Sequence, residues 1–77
     1  SKKDENHNVV DANALVYYTQ NSIIKGSKDK LVIVDGLDGY LVAEFDNVLV
    51  VCKKDNESQF RKYVSDVKTK PNADKFL

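Results

Sequence analysis

A chain of 77 residues is one small domain, which buries only roughly 60% of its unfolded surface, so the core has little margin. Twelve Lys and Arg balance twelve Asp and Glu, and this zero net charge excludes the long-range pull expected of a nucleic-acid or membrane-surface binder. No apolar run approaches the roughly 20 residues of a membrane span, and the lone Cys52 rules out an intrachain disulfide, which fits a cytoplasmic setting.

The opening run SKKDENHN, residues 1–8, is charged, amide-rich and without initiator Met. It reads as a disordered linker or cloning remnant ahead of an excised piece. From Val9 to about residue 54, short apolar runs follow one another: VVDA, ALVYYT, SIIKG, KLVIVDG, YLVAEF and VLVVCKK. Each is too short for a packed helix, rich in β-branched and aromatic residues, and bounded by Asn, Asp, Gly or Lys, so each is a predicted strand.

Their spacing carries further. The anchors Leu15, Ile23, Ile33, Leu41 and Leu49 are separated by 8, 10, 8 and 8 residues. Asn13, Asn21 and Asn47 stand two residues before an anchor, and Gly39 holds that place before Leu41. Asn and Gly tolerate the left-handed conformation of a sharp corner, so the pattern predicts a solenoid of strand and corner units. The longer step spans GSKDK, a corner with an inserted loop. In YLVAEF, Leu41, Ala43 and Phe45 form a dry face and Tyr40, Val42 and Glu44 a wetter one. LVIV and VLVV are apolar on both faces, which requires a cover on each side. Tyr17 and Tyr18 are adjacent, which points one inward and one outward.

At residues 55–70 the period changes. Phe60, Val64 and Val67, with Tyr63, recur at helical spacing, with Asn56 and Gln59 as a capping box and Pro71 as the stop. This predicted helix covers VLVV and caps the solenoid. Residues 71–77 read as a flexible tail in which Phe76 and Leu77 are the only docking candidates.

Catalytic chemistry finds no assembled set. His7 lies in the leader, and Cys52 has no histidine to activate it. Asp35 and Asp38 in DGLDG are too few oxygen ligands for calcium and fit a tight, hairpin-like corner. GSKDK lacks the glycine pattern of a phosphate loop. The basic residues of the helix are interleaved with Asp55, Glu57 and Asp66, an ordinary charged surface. No catalytic, cofactor-binding or metal-ligating residue is therefore assigned. The doubly apolar strands instead indicate surfaces made for another domain or subunit, with Val32, Val34, Tyr40 and Val42 as the candidate contacts.

The order of these features resembles the C-terminal part of mannose-1-phosphate guanylyltransferases. Asn21 precedes a short strand at residues 22–25, and a polar turn follows at 27–30. A strand rises through 31–37, another runs through 40–47 to its aspartate turn, and an apolar strand occupies 48–52. A helix begins near Gln59. His7 stands where the family's upstream turn has glycine. The resemblance covers about residues 5–68. It implies a single-stranded, left-handed parallel β-helix capped by the C-terminal α-helix. The parent would join mannose 1-phosphate to GTP with magnesium, on a separate N-terminal catalytic domain that is this module's partner, and would assemble as a homodimer. Two other readings stay open: a regulatory sugar- or nucleotide-binding domain centred on Asp35, Asp38 and Lys54, and an unrelated antiparallel β-meander.

Overall fold

The computed structural model describes residues 2–3 and 5–75. The chain is mainly strand with one C-terminal helix: β1 (Lys2–Lys3), β2 (Val9–Asp11), β3 (Asn13–Tyr17), β4 (Ile23–Lys25), β5 (Leu31–Asp35), β6 (Tyr40–Phe45), β7 (Val48–Lys53) and α1 (Phe60–Val67). One sheet has the order β1-β2-β4-β6-β7, and a second consists of β3 and β5.

Strands β2, β4 and β6 are parallel and in register, Val9 beside Ile23 and Ile23 beside Leu41. Strands β3 and β5 are likewise parallel, with Leu15 beside Ile33, and Gln20 bridges to Asp38. The chain therefore advances by 14 residues in its first coil and 18 in its second. The difference of four lies in one corner. Ala12 alone joins β2 to β3, whereas residues 26–30 join β4 to β5. The anchors alternate between the two sheets: Leu15 pairs with Ile33 and Ile23 with Leu41, so a step of 8 plus a step of 10 makes one full coil.

Backbone geometry repeats with the coil. His7, Asn21 and Gly39 occupy equivalent corners and all have positive φ, at 65°, 55° and 75°. Tyr18 and Gly36 form a second stacked corner at 49° and 77°. DGLDG is thus a coil corner. The hairpin lies elsewhere, at residues 46–47, where Asp46 takes φ 51° and Phe45 pairs with Val48. That two-residue turn sends β7 back antiparallel along β6, and β1 lies antiparallel on β2. The first sheet is consequently mixed, which corrects the expectation of a purely parallel ladder. A tight Asp-Asn turn reverses the chain where another corner would have continued the coil.

The two sheets face each other. Ile24, Val34 and Val42 are buried between them, with Val10, Ala12, Ala14, Val16, Val32 and Leu37 packed around. The supposed wetter face of β6 therefore points into the core through Val42. Leu41 and Ala43, on its other face, are buried too. Polar side chains hold the corners from inside. Asn8 is fully buried, donating to the Thr19 carbonyl at 2.8 Å and accepting from the Ser22 amide at 2.9 Å. Thr19 and Ser22 repeat the device one level on, accepting from the amides of Leu37 and Tyr40. Stranding one such buried group costs about 1–3 kcal/mol. The end of the leader is therefore structural: Asn8 is a core residue and Lys2–Lys3 pair with β2. Ser1 and Asp4 lie outside the described residues.

The predicted helix is shorter than its periodicity. A 3-10 turn occupies Lys54–Gln59, with Asn56 at φ −97° and ψ 16°, so Asn56 is not the helix cap. Gln59 precedes α1 and makes no side-chain capping bond. The exit from β7 is pinned instead: the Lys54 amide donates to the Gly39 carbonyl at 2.7 Å, and its ammonium donates to the Asn21 carbonyl at 2.7 Å. The chain must turn tightly from that anchor before an α-helix can start. Phe60 then meets Phe45, ring centroids 5.8 Å apart, and Tyr63 and Val67 lie beside Val48, Val50 and Cys52. Beyond the helix, a 3-10 turn at Ala73–Lys75 offers the Lys75 carbonyl to the Asn47 amide at 3.0 Å. Phe76 and Leu77 lie outside the described residues.

Candidate functional site

Strand alternation divides LVIV between two environments. Val34 is buried in the core and Val32 packs against it, while Leu31 and Ile33 point away. On β3, Ala14 and Val16 face the core while Leu15 and Tyr17 face out. Register places Leu15 next to Ile33, and the outer face of the second sheet exposes Leu15 at 43%, Tyr17 at 47%, Leu31 at 55% and Ile33 at 62%. No second layer of this chain covers it among the described residues. Tyr18 sits in the corner beside it, 89% exposed, so neither tyrosine of the pair points inward.

The four candidate contacts read from the sequence are thereby reassigned. Val34 and Val42 are core residues, Val32 packs on that core, and Tyr40 is half-buried. Val32, Val34 and Val42 do meet, on the floor of a groove of about 300 Å³ at the end of the coil, beside Leu49 and Val51. The groove exists because the first sheet extends to β7, whereas β5 has a strand on one side only. Leu15, Leu31 and Ile33 are instead the aliphatic side chains that this sheet exposes. Their signal was present in the one-step alternation of KLVIVD against NALVY, once register fixes which parity faces out.

The polar candidates separate. Asp38 accepts from the side-chain amides of Gln20 at 3.1 Å and Asn21 at 3.3 Å, and Lys54 reaches the same corner through the Asn21 carbonyl. Asp35 ends β5 and joins no contact with them. The lysines of the inserted corner are engaged: Lys28 lies 3.5 Å from Asp11, and Lys30 lies 3.3 Å from Glu44. Asp29 in that corner has its carboxyl held below the usual range, first by the Ser27 hydroxyl and then by a backbone hydrogen bond. Cys52 is half-buried against α1, and His7 is exposed at a corner. No group of three or more His, Cys, Asp or Glu side chains is placed to hold a metal among the described residues. No helix among them is long and apolar enough to cross a membrane.

Beside the start of α1 lies a second cavity, of about 470 Å³, lined by Lys25, Leu41, Ala43, Glu57, Ser58, Phe60 and Arg61. It combines an apolar floor with charged walls of both signs, whereas Asp35 is the one charged residue lining the groove at the coil end.

No protein-family description and no curated protein matches the chain. Among solved structures, it is similar to the crystal structure of mannose-1-phosphate geranyltransferase from Thermus thermophilus, with TM-score 0.69 and 24% identity over 84% of this chain. The chain spans only 20% of that protein. At this identity the likeness is one of fold: a short parallel coil with an antiparallel end and a helix, found there as part of a much longer protein.

Proposed function

We propose that this chain is the C-terminal assembly module of a nucleotidyltransferase that makes GDP-mannose from mannose 1-phosphate and GTP. It is itself non-catalytic and carries the left-handed β-helix of that family. The reading is supported by the match of 84% of this chain to one fifth of a protein named as a mannose-1-phosphate geranyltransferase. The order of corners and strands in residues 5–68 adds the guanylyltransferase resemblance. What carries the assembly role is the uncovered face of Leu15, Tyr17, Leu31 and Ile33. An apolar sheet face of this kind is costly to leave in water and marks a contact surface. Its partners are the N-terminal catalytic domain of the same polypeptide and, through the parent, a second copy. Magnesium, by the same resemblance, would be held by the catalytic domain. The setting is the cytoplasm.

The test uses the full-length parent. Wild type should form GDP-mannose from mannose 1-phosphate and GTP. The double variant Leu31→Asp, Ile33→Asp should lose dimer on sedimentation or lose activity at least several-fold, while the isolated 77-residue chain keeps its fold. Absence of GDP-mannose from a well-folded wild-type parent would remove the family assignment. Unchanged assembly and activity in the double variant would remove the role of this face.

A further inference from the structure

We infer that the cavity beside α1 is a binding site for a nucleoside phosphate. Its volume of about 470 Å³ suits a small-molecule site, commonly about 300–1,000 Å³. Three separate elements build it: Lys25 comes from β4, Leu41 and Ala43 from β6, and Glu57, Ser58, Phe60 and Arg61 from the turn and helix that come after β7. Lys25 and Arg61 have no carboxylate partner among the described residues, as is true also of the exposed Lys53, Lys68 and Lys70, but only these two share a cavity. Two exposed cations on one cavity give an anion a place to bind, and a guanidinium suits phosphate oxygens especially well. The Ser58 hydroxyl lines the same wall.

The other residues narrow the class. Glu57 also faces the cavity, so a bare polyanion is disfavoured and the ligand must bring N–H or O–H donors for that carboxylate. Leu41, Ala43 and the ring of Phe60 form an apolar floor suited to a flat ring, with Phe60 steadied by Phe45. Phosphate, hydroxyl or amino donors, and a flat ring together describe a nucleotide. The polar corner at Asn21 is a poorer site, because Asp38 and Lys54 are already engaged there. This inference is independent of what covers the outer face of β3 and β5.

The experiment is an NMR titration of the isotopically labelled 77-residue chain with ADP and GDP, beside pyrophosphate and ribose 5-phosphate. At least one nucleotide should give saturable shifts at the amides of Lys25, Ala43, Ser58, Phe60 and Arg61. Pyrophosphate and ribose 5-phosphate should bind about tenfold more weakly, since each lacks the base. Lys25→Gln and Arg61→Gln should each weaken the nucleotide by roughly tenfold, the scale of one charge-assisted hydrogen bond. Both side chains are exposed, and an unchanged free spectrum away from the substitution checks that the fold is kept. No shifts at millimolar nucleotide, shifts centred on Asn21 and Lys54, or undiminished binding in both Lys25→Gln and Arg61→Gln would overturn the site. Equal affinity for pyrophosphate would overturn it too, reducing the cavity to a non-specific pair of cations.

Discussion

Tyr18 holds φ 49° with its side chain 89% exposed, while the equivalent corner one coil later is Gly36 at φ 77°. The left-handed region costs a non-glycine residue about 1–2 kcal/mol, and glycine returns about 0.4–1 kcal/mol of that through its freer unfolded chain. Tyr18→Gly should therefore stabilise the isolated chain by about 0.5–1 kcal/mol, a rise of a few degrees in Tm by calorimetry. A fall in Tm would mean that the ring contributes packing that its exposure does not suggest. His7 is a milder case of the same geometry. Its place was read as glycine's in the resemblance, and φ 65° explains why glycine suits it. Such positions were half legible. Asn21 and Gly39 announced their corners by residue type, but Asn13 lies in β3 and Asp46, not Asn47, takes positive φ at the hairpin, while Tyr18 carries nothing in its chemistry that marks a left-handed turn. Asn8 was illegible for the opposite reason. A buried amide in a polar run looks like linker until the carbonyl of Thr19 and the amide of Ser22 are placed around it.

At the scale of elements, strand positions were legible because β-branched runs between turn residues have few alternatives. Strand direction was not. Both a coil corner and a hairpin reverse the chain, and DGLDG and Asp46-Asn47 differ only in where the next strand pairs. The helix shows a related limit. Helical periodicity marks the residues that face the sheet, but the tether of Lys54 to Gly39 and Asn21 decides where the α-helix can begin. Because α1 has only eight residues and no capping side chain, it is too short to persist alone and depends on packing. Phe60 is half-buried and supplies the aromatic contact to Phe45. Removing a fully buried Phe costs about 3–5 kcal/mol, so Phe60→Ala should cost about 2 kcal/mol. In urea the midpoint should fall with the slope unchanged. A loss below about 0.5 kcal/mol would show that α1 rests on β7 through Tyr63 and Val67 instead.

For the whole molecule, the decisive quantity is which parity of LVIV faces the core, because a one-residue change of register exchanges every inside and outside contact. The sequence shows that both faces of the strand are apolar but cannot say which belongs to this chain's core, and so Val32 and Val34 stood as contacts. Closure of β3 and β5 over β2, β4 and β6 settles it by burying Val34 with Ile24 and Val42. Adjacent substitutions therefore should behave oppositely. Val34→Lys places an unpaired charge in a thin core and should unfold the isolated chain, since a 77-residue domain has only about 5–10 kcal/mol to lose. Ile33→Lys replaces a side chain already 62% exposed and should leave its Tm within a few degrees of wild type. Circular dichroism melts of the two variants separate the alternatives at once. A folded Val34→Lys beside an unfolded Ile33→Lys would reverse the register, and with it the face that the chain leaves uncovered. The expected result leaves a folded chain whose uncovered side has gained a charge, which is the state needed to ask whether that side is held against another domain.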